Sequence, residues 1–390
     1  MYDLIVKGGR VLDPVQNIDA MLDVAVNGEK IAALAKDIPA TESLQVIDAT
    51  GKLVTPGLID SHCHVFNFPG SGVCSPDVVG VKQGVTTVVD AGSAGQADFS
   101  YLPEKIIPAS RTTVFAYLHL STHGLKFIND SAEPRDWNDI NMDATAACID
   151  RYREVIKGIK IRMVGKFVGK TGIKIVQMAK KLGKTFNLPI IVHIGDPEKY
   201  VPAIATQTIL PLLDYGDILC HIYTAQQGGI QYSDGHFMRA FNQVMNRGLV
   251  LDCAHGSLNF SFDIARKMIA KGILPTTLST DLSARSIAGP VYGMTVTMSK
   301  LLALGVSLRK IIDMSTISPA CAIGIADKKG SLKVGMDADI SILELMYGKW
   351  ELEDSQHETI TTNTLITPKM CIKSGQAIPA KPAYQPQPLG

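Results

Sequence analysis

Hydrophobic and polar positions along this chain follow two rhythms. At the N-terminal end they alternate. YDLIVKGGRVL, DVAVNGEKIAAL with its Asn27–Gly28 turn signal, and LQVIDATGKLV carry β-branched residues at period two. That spacing predicts short strands joined by tight turns over residues 1–52. Near the other end, KKGSLKVGMDADISIL and TPKMCIKSGQAI have the same texture. Residues 331–380 are therefore expected to join residues 1–52 in one small β-sandwich domain. The closing residues, 381–390, read as a proline-rich extended tail.

Between these ends, over residues 53–330, apolar runs of strand length alternate with segments of helical period. LIDSHCH, TTVVDAG, TTVFAYLHL, IKGIKIRMV, PIIVHIGD, DILCHIY, LVLDCAH and PTTLSTD are the strand candidates. Helical patterns such as GIKIVQMAKKLGKTF, HFMRAFNQVMNRG and DIARKMIAKG separate most of them. Eight strands alternating with helices predict an α/β architecture, a (β/α)8 TIM barrel. Two connections, 121–141 and 223–235, are long for such units and follow the third and sixth strands. Barrels place their active sites on that face, so both are read as substrate-binding loops or lids.

Composition narrows the class of protein. The 390 residues carry a formal net charge of +1, with 46% hydrophobic and 19% charged residues. Near-neutral charge argues against nucleic acid or a membrane surface as partner. No apolar run reaches the ~18 residues that span a bilayer. The opening MYDLIVKGG reads as a strand rather than a signal peptide, because Asp3 and Lys7 interrupt it. Seven cysteines without a CxxC pair fit free thiols in a reducing cytoplasm.

The candidate chemistry lies at the strand ends. In PGLIDSHCH, strand alternation turns His62 and His64 to one face and Cys63 to the other. Alone, an HxH pair is as compatible with packing as with metal binding. The other strands change that. The fourth carries Lys160, the fifth ends in His193, the sixth in His221, the seventh in His255 and the eighth in Asp281. Groups at equivalent strand ends converge at a barrel mouth. Together they offer nitrogen and carboxylate donors suited to Zn2+, with Mn2+, Fe2+ or Co2+ as alternatives.

These motifs resemble the amidohydrolase superfamily: PGLIDSHCH, the lysine of GIKIR, PIIVH, ILCHIY and STD, then a return through SPACAIGIADKKGSLKVGMDADISIL. Within it, GIKIR, CAHGSLNF and STDLSAR are similar to the dihydroorotase-like deacetylases, which hydrolyse N-acyl or O-acetyl groups of small acids. The resemblance implies two divalent metal ions, expected to be Zn2+. His62, His64 and Asp281 would hold one, and His193 and His221 the other. Lys160 would bridge them as a carbamate formed with CO2, Lys157 being the rival three residues earlier. A bridging water, its pKa lowered from 15.7 toward about 7, would attack as hydroxide. Asp281 would act as general acid and base as well as ligand.

Further roles are expected from neighbouring residues. His255 is read as a substrate hydrogen-bond partner, and Arg162, on the face of Lys160, as a fork for a substrate carboxylate or a core ion pair. Gly256 would allow close backbone approach. Asp90, His119 and His123 are read as structural or supporting, and Cys63 and Cys220 as packing residues that point away from the site. Dihydroorotases that grip a carboxylate typically show HxHxR, whereas Phe66 stands at that third position here. The expected activity is therefore hydrolysis of an amide or ester bond in a small, carboxylate-bearing substrate. The alternatives are a cyclic amidase of the dihydroorotase or hydantoinase kind and a non-catalytic hydantoinase-like scaffold. A homo-oligomer in the cytoplasm is expected.

Overall fold

A computed structural model of the chain describes residues 1–67, 74–126, 134–230, 241–382 and 386–389. In chain order the N-terminal strands are β1 (Tyr2–Asp13), β2 (Ile18–Asn27), β3 (Lys30–Ala35), β4 (Ser43–Asp48) and β5 (Leu53–Pro56). Seven barrel strands follow: β6 (Leu58–Cys63), β7 (Val85–Asp90), β8 (Thr113–His119), β9 (Ile156–Arg162), β10 (Ile190–His193), β11 (Ile218–Cys220) and β12 (Val250–Asp252). The chain closes with β13 (Ile340–Glu353), β14 (Thr359–Lys373) and β15 (Gln376–Pro379).

The two chain ends form one eight-stranded sheet, ordered β15-β14-β13-β5-β1-β2-β3 with β4 on β1. Its core holds Val6, Val24 and Val54 from one end and Ile340, Ile342 and Ile372 from the other. Because β5 pairs with both β1 and β13, this sheet runs to Pro56, four residues past the boundary expected at 52. Sequence reading missed one large element. Strands β13 and β14 make a long hairpin that leaves its own sheet and packs Trp350, Leu352, Leu365 and Ile366 into the barrel core.

The barrel strands β6 to β12 are parallel and lie in sequence order. Five of them (β6, β7, β10, β11 and β12) are buried along their full length, as expected where helices cover one face and side chains fill the other. The covering helix Lys174–Phe186 buries Ile175, Val176, Ala179, Leu182 and Phe186 at helical spacing and stops at Asn187 in the left-handed region, φ 52°. Side-chain caps from Asn141, Ser261 and Ser307 open three other helices.

The expected eighth strand is irregular. Residues 277–282 bridge β12 through Asp252 and Thr277 and bridge β6 through Cys63 and Leu282, so they occupy the eighth position without a regular ladder. Part of the pairing passes through a side chain: Asp60 accepts from the Thr280 amide and hydroxyl. A positive φ of 50° at Asp281 bends the segment at the rim. Of the two long loops, the described parts are 121–126 with 134–141 and 223–230; the remaining positions lie outside the described residues.

Candidate metal centre

Strand register brings the candidate ligands together. Lys160 pairs with His119 on β8 and Ile191 on β10, Arg162 pairs with His193, His193 with Cys220, and Cys220 with Asp252. Residues at one level of neighbouring parallel strands face the same side. Lys160 and His193 are therefore turned to the barrel interior, and both are buried. Lys157 sits at the N-terminal end of β9, where the β8–β9 register shifts, with its ammonium 4.7 Å from the Phe115 ring centroid. Of the two lysines, Lys160 is the one beside a candidate ligand, its Nζ lying 3.2 Å from His62 Nε2.

Three histidines share one arrangement, with one nitrogen anchored and the other turned to a common space. His62 Nδ1 lies 3.1 Å from Asp252 Oδ2 and donates to it, leaving Nε2 as a lone pair 3.2 Å from Lys160 Nζ and 3.7 Å from Asp281 Oδ1. Ser93 Oγ donates to Asp90, so it accepts from His64 Nδ1 at 2.7 Å. That leaves His64 Nε2 3.0 Å from Asp281 Oδ1. His221 Nδ1 donates to the Ala254 carbonyl at 2.7 Å, and its buried Nε2 has no partner among the described residues. The His193 ring centroid is 4.1 Å from that of His221. Lone pairs of His62, His64 and His221 thus converge on a carboxylate. Acceptors 3.0 Å apart repel unless a proton or a cation lies between them.

Electrostatics favour ligand-ready forms. Burial holds His62 and His193 below the ordinary imidazole range and takes His221 to about 3, so all three imidazoles are neutral at pH 7. Burial also lowers the Lys160 ammonium. Asp281 goes the other way. Burial would raise it, but a proton lying between His64 Nε2 and Oδ1 makes a hydrogen bond that holds it below the usual carboxylate range. Unusual backbone accompanies two of the candidate ligands: φ is 65° at His221 and 50° at Asp281, conformations non-glycine residues rarely adopt.

Several expectations are refined or corrected. Gly256, with φ +60°, does allow close approach, but of Asp281: a Cβ there would lie 2.4 Å from Asp281 Oδ2. Its carbonyl is held by Ser355 Oγ at 2.8 Å, from the tip of the β13–β14 hairpin. His255 is fully buried and stacked on Phe260, with Nδ1 on the Gly256 carbonyl and Nε2 accepting from Lys300 at 2.7 Å. Both nitrogens are taken, which corrects its expected role as a substrate hydrogen-bond partner. Cys220 does not point away. The positive φ of His221 breaks strand alternation, so Cys220 faces inward beside His62 and Asp252. These three could themselves hold a cation by spacing, but Asp252 already accepts from His62, Ser279 and Thr277, and burial pushes the Cys220 thiol well up. They read as a hydrogen-bonded floor under the cluster. Cys63 packs in the core with its thiol on the Val89 carbonyl, as expected.

The supporting residues were the harder ones to find. Asp252 orients His62 as carboxylates orient metal-binding histidines, and its one sequence signal is an acid inside the apolar run LVLDCA. Asp90 accepts from the Val65 and Phe66 amides and from Ser93, fixing the turn that carries His64. His123 lies 3.0 Å from Asp98, at the loop surface.

A parallel barrel with a cluster of imidazole, lysine and carboxylate groups at its C-terminal rim is the architecture of metal-dependent hydrolases. The chain belongs to the amidohydrolase family, whose profile matches residues 53–377. That family generally uses a binuclear metal centre with a carboxylated lysine. The chain is 34% identical to a deacetylase of Agrobacterium fabrum over 92% of its own length and 87% of the relative's. It is 30% identical to a deacetylase of Enterococcus faecalis over 96% and 98%. Among solved structures, a dihydroorotase superposes with a TM-score of 0.89 at 30% identity, covering 99% of this chain and all of the other. The chain is thus a hydrolytic enzyme of this family. Among the described residues, no helix is long and apolar enough to cross a membrane.

Proposed function

We propose that the enzyme removes an acyl group, acetyl first among them, from a small carboxylate-bearing substrate, with His62, His64, Lys160, His193, His221 and Asp281 holding two Zn2+ ions. The observation that carries this reading is the convergence of three imidazole lone pairs on the Asp281 carboxylate, with Lys160 Nζ 3.2 Å from one of them, His62 Nε2. An imidazole-rich set of this kind suits Zn2+. Such ions, when bound, lower the pKa of water toward about 7 and polarise the scissile carbonyl.

The chain's own residues supply the rest. Lys160 acts as its carbamate, since an ammonium cannot ligate a cation and burial already favours the neutral amine. Asp281 Oδ1 takes the proton of the attacking water and passes it to the leaving nitrogen or oxygen. Asp252, Ser93 and the Ala254 carbonyl fix the tautomers of His62, His64 and His221. Arg162, one level above Lys160 on the same face and beside His193, forks onto the substrate carboxylate. His255 has no place in this scheme.

The deacetylase names of the relatives at 30–34% identity favour acyl transfer to water, and Phe66 in place of arginine weighs against dihydroorotase activity. The likeness to a solved dihydroorotase keeps cyclic amide hydrolysis as the second reading. A screen of N-acyl amino acids, acetylated hydroxy acids, hydantoins and cyclic imides against Zn2+-loaded, bicarbonate-treated enzyme separates them. Turnover confined to the cyclic compounds would sink the deacetylase reading. Seven unpaired cysteines fit a cytoplasmic site of action. We also read the enzyme as a homo-oligomer, which a monomer in sedimentation would overturn.

A further inference from the structure

His119 stands apart from the ligand set, yet one of its atoms is unaccounted for. The Ser121 amide donates to His119 Nδ1 at 3.0 Å, so that nitrogen is an acceptor and the ring proton sits on Nε2. His119 is 0% exposed, and Nε2 has no hydrogen-bond partner among the described residues. A buried N–H without an acceptor is costly and rare. Some group must meet it in the working enzyme.

The surroundings identify that group. His119 and Lys160 are register partners on adjacent parallel strands, so their side chains stand side by side and face the same way. Gly92, in the bend just past the end of β7, comes against this pair. A Cβ on Gly92 would lie 2.6 Å from Lys160 Cβ, 2.7 Å from its Cγ and 3.6 Å from His119 Cδ2, the ring carbon bonded to Nε2. The glycine leaves the lysine stem and the imidazole edge along one wall. No carboxylate of the described residues reaches Nε2. An anionic group carried by Lys160 itself is the acceptor that this wall can supply.

We infer that His119 Nε2–H is the hydrogen-bond donor that holds the carbamate on Lys160, which makes His119 a positioning residue for the lysine. The inference rests on the carbamate reading given above. In forming that group, the lone pair of the neutral Lys160 amine makes an N–C bond to CO2. One C=O π pair becomes an oxyanion lone pair, and the displaced N–H proton leaves to water. His119 then donates to the new anion, and hydrogen bonds to charged groups are the strong ones.

The test is reconstitution of metal-stripped enzyme with Zn2+ over a range of 13C-labelled bicarbonate, reading the carbamate carbon by NMR and the zinc retained. His119→Phe should need at least roughly tenfold more bicarbonate than wild type for half-maximal signal, the worth of one charge-assisted hydrogen bond. His119→Gln, whose amide nitrogen reaches about the position of Nε2, should restore the wild-type requirement. His119→Asn reaches only the position of Nδ1 and should behave as His119→Phe, which keeps the test open if the phenylalanine variant does not fold. Wild-type bicarbonate dependence in the Asn or Phe variant would overturn the inference alone. Zinc retention by wild type with no carbamate signal would overturn both the inference and the carbamate reading beneath it.

Discussion

Replacing Gly256 by alanine is a small change with a calculable effect. The added methyl would sit 2.4 Å from Asp281 Oδ2, whereas ordinary contact begins at 3.4 Å. The backbone is held in place from both sides, by the Gly256 amide on the Thr280 carbonyl and Ser355 on the Gly256 carbonyl. The carboxylate must therefore give way, by about 1 Å, which at reacting groups costs on the order of 100-fold in rate. Left-handed backbone adds roughly 1–2 kcal/mol of strain. Gly28 provides the control, because its φ is +54° with nothing within 4 Å of its added Cβ. Both variants should lose a few degrees in unfolding midpoint, about 2–4 °C per kcal/mol. Only Gly256→Ala should lose kcat/KM, by roughly 100-fold, measured on the best substrate of the acyl screen with metal content checked alongside. Equal activity of the two variants would refute the claim that Gly256 exists to seat Asp281.

Two further predictions concern buried charge. Asp252→Asn weakens the acceptor for His62 Nδ1 and should lower metal affinity roughly 10–100-fold in competition with a chelator; unchanged affinity would remove Asp252 from the supporting set. Burial lowers Lys300 to about 7, against an unfolded value near 10.4. Between those pH values the unfolded chain binds the extra proton, so this lysine makes stability rise with pH across that window, by up to about 1.4 kcal/mol per unit. Lys300→Met should lack that rise in denaturant melts from pH 7 to 10, and parallel curves for the two proteins would contradict it.

What could be read from the sequence follows from geometry. Parallel strands buried on both faces write themselves as apolar runs, and a polar residue ending such a run is conspicuous. Hence His62, His64, Lys160, His193, His221 and Asp281 stand out as candidates, and Lys157 could be weighed against Lys160. Residues whose task is to hold another residue carry no such mark. Asp252 and Ser93 are common polar side chains until His62 and His64 are seen to lean on them. His255 misled because a histidine at a strand end looks like its neighbours, while Lys300, which occupies its ring nitrogen, lies 45 residues away. Cys220 misled because alternation assumes extended backbone, and His221 at φ 65° is not extended. The eighth strand was legible as PTTLSTD but not in its form, since part of its pairing runs through the Asp60 carboxylate rather than a backbone ladder. The β13–β14 hairpin was missed past residue 343 because its outer half packs on the barrel instead of on a sheet of its own.

Metal content of the reconstituted enzyme tests the central claim most directly. Wild type treated with Zn2+ and bicarbonate, then freed of loose metal, should retain two ions per protomer. His221→Ala, which removes a buried imidazole lone pair with no partner among the described residues, should retain about one and unfold at a lower temperature. A wild-type chain that retains no zinc, or a His221→Ala variant that retains both ions, would contradict the account.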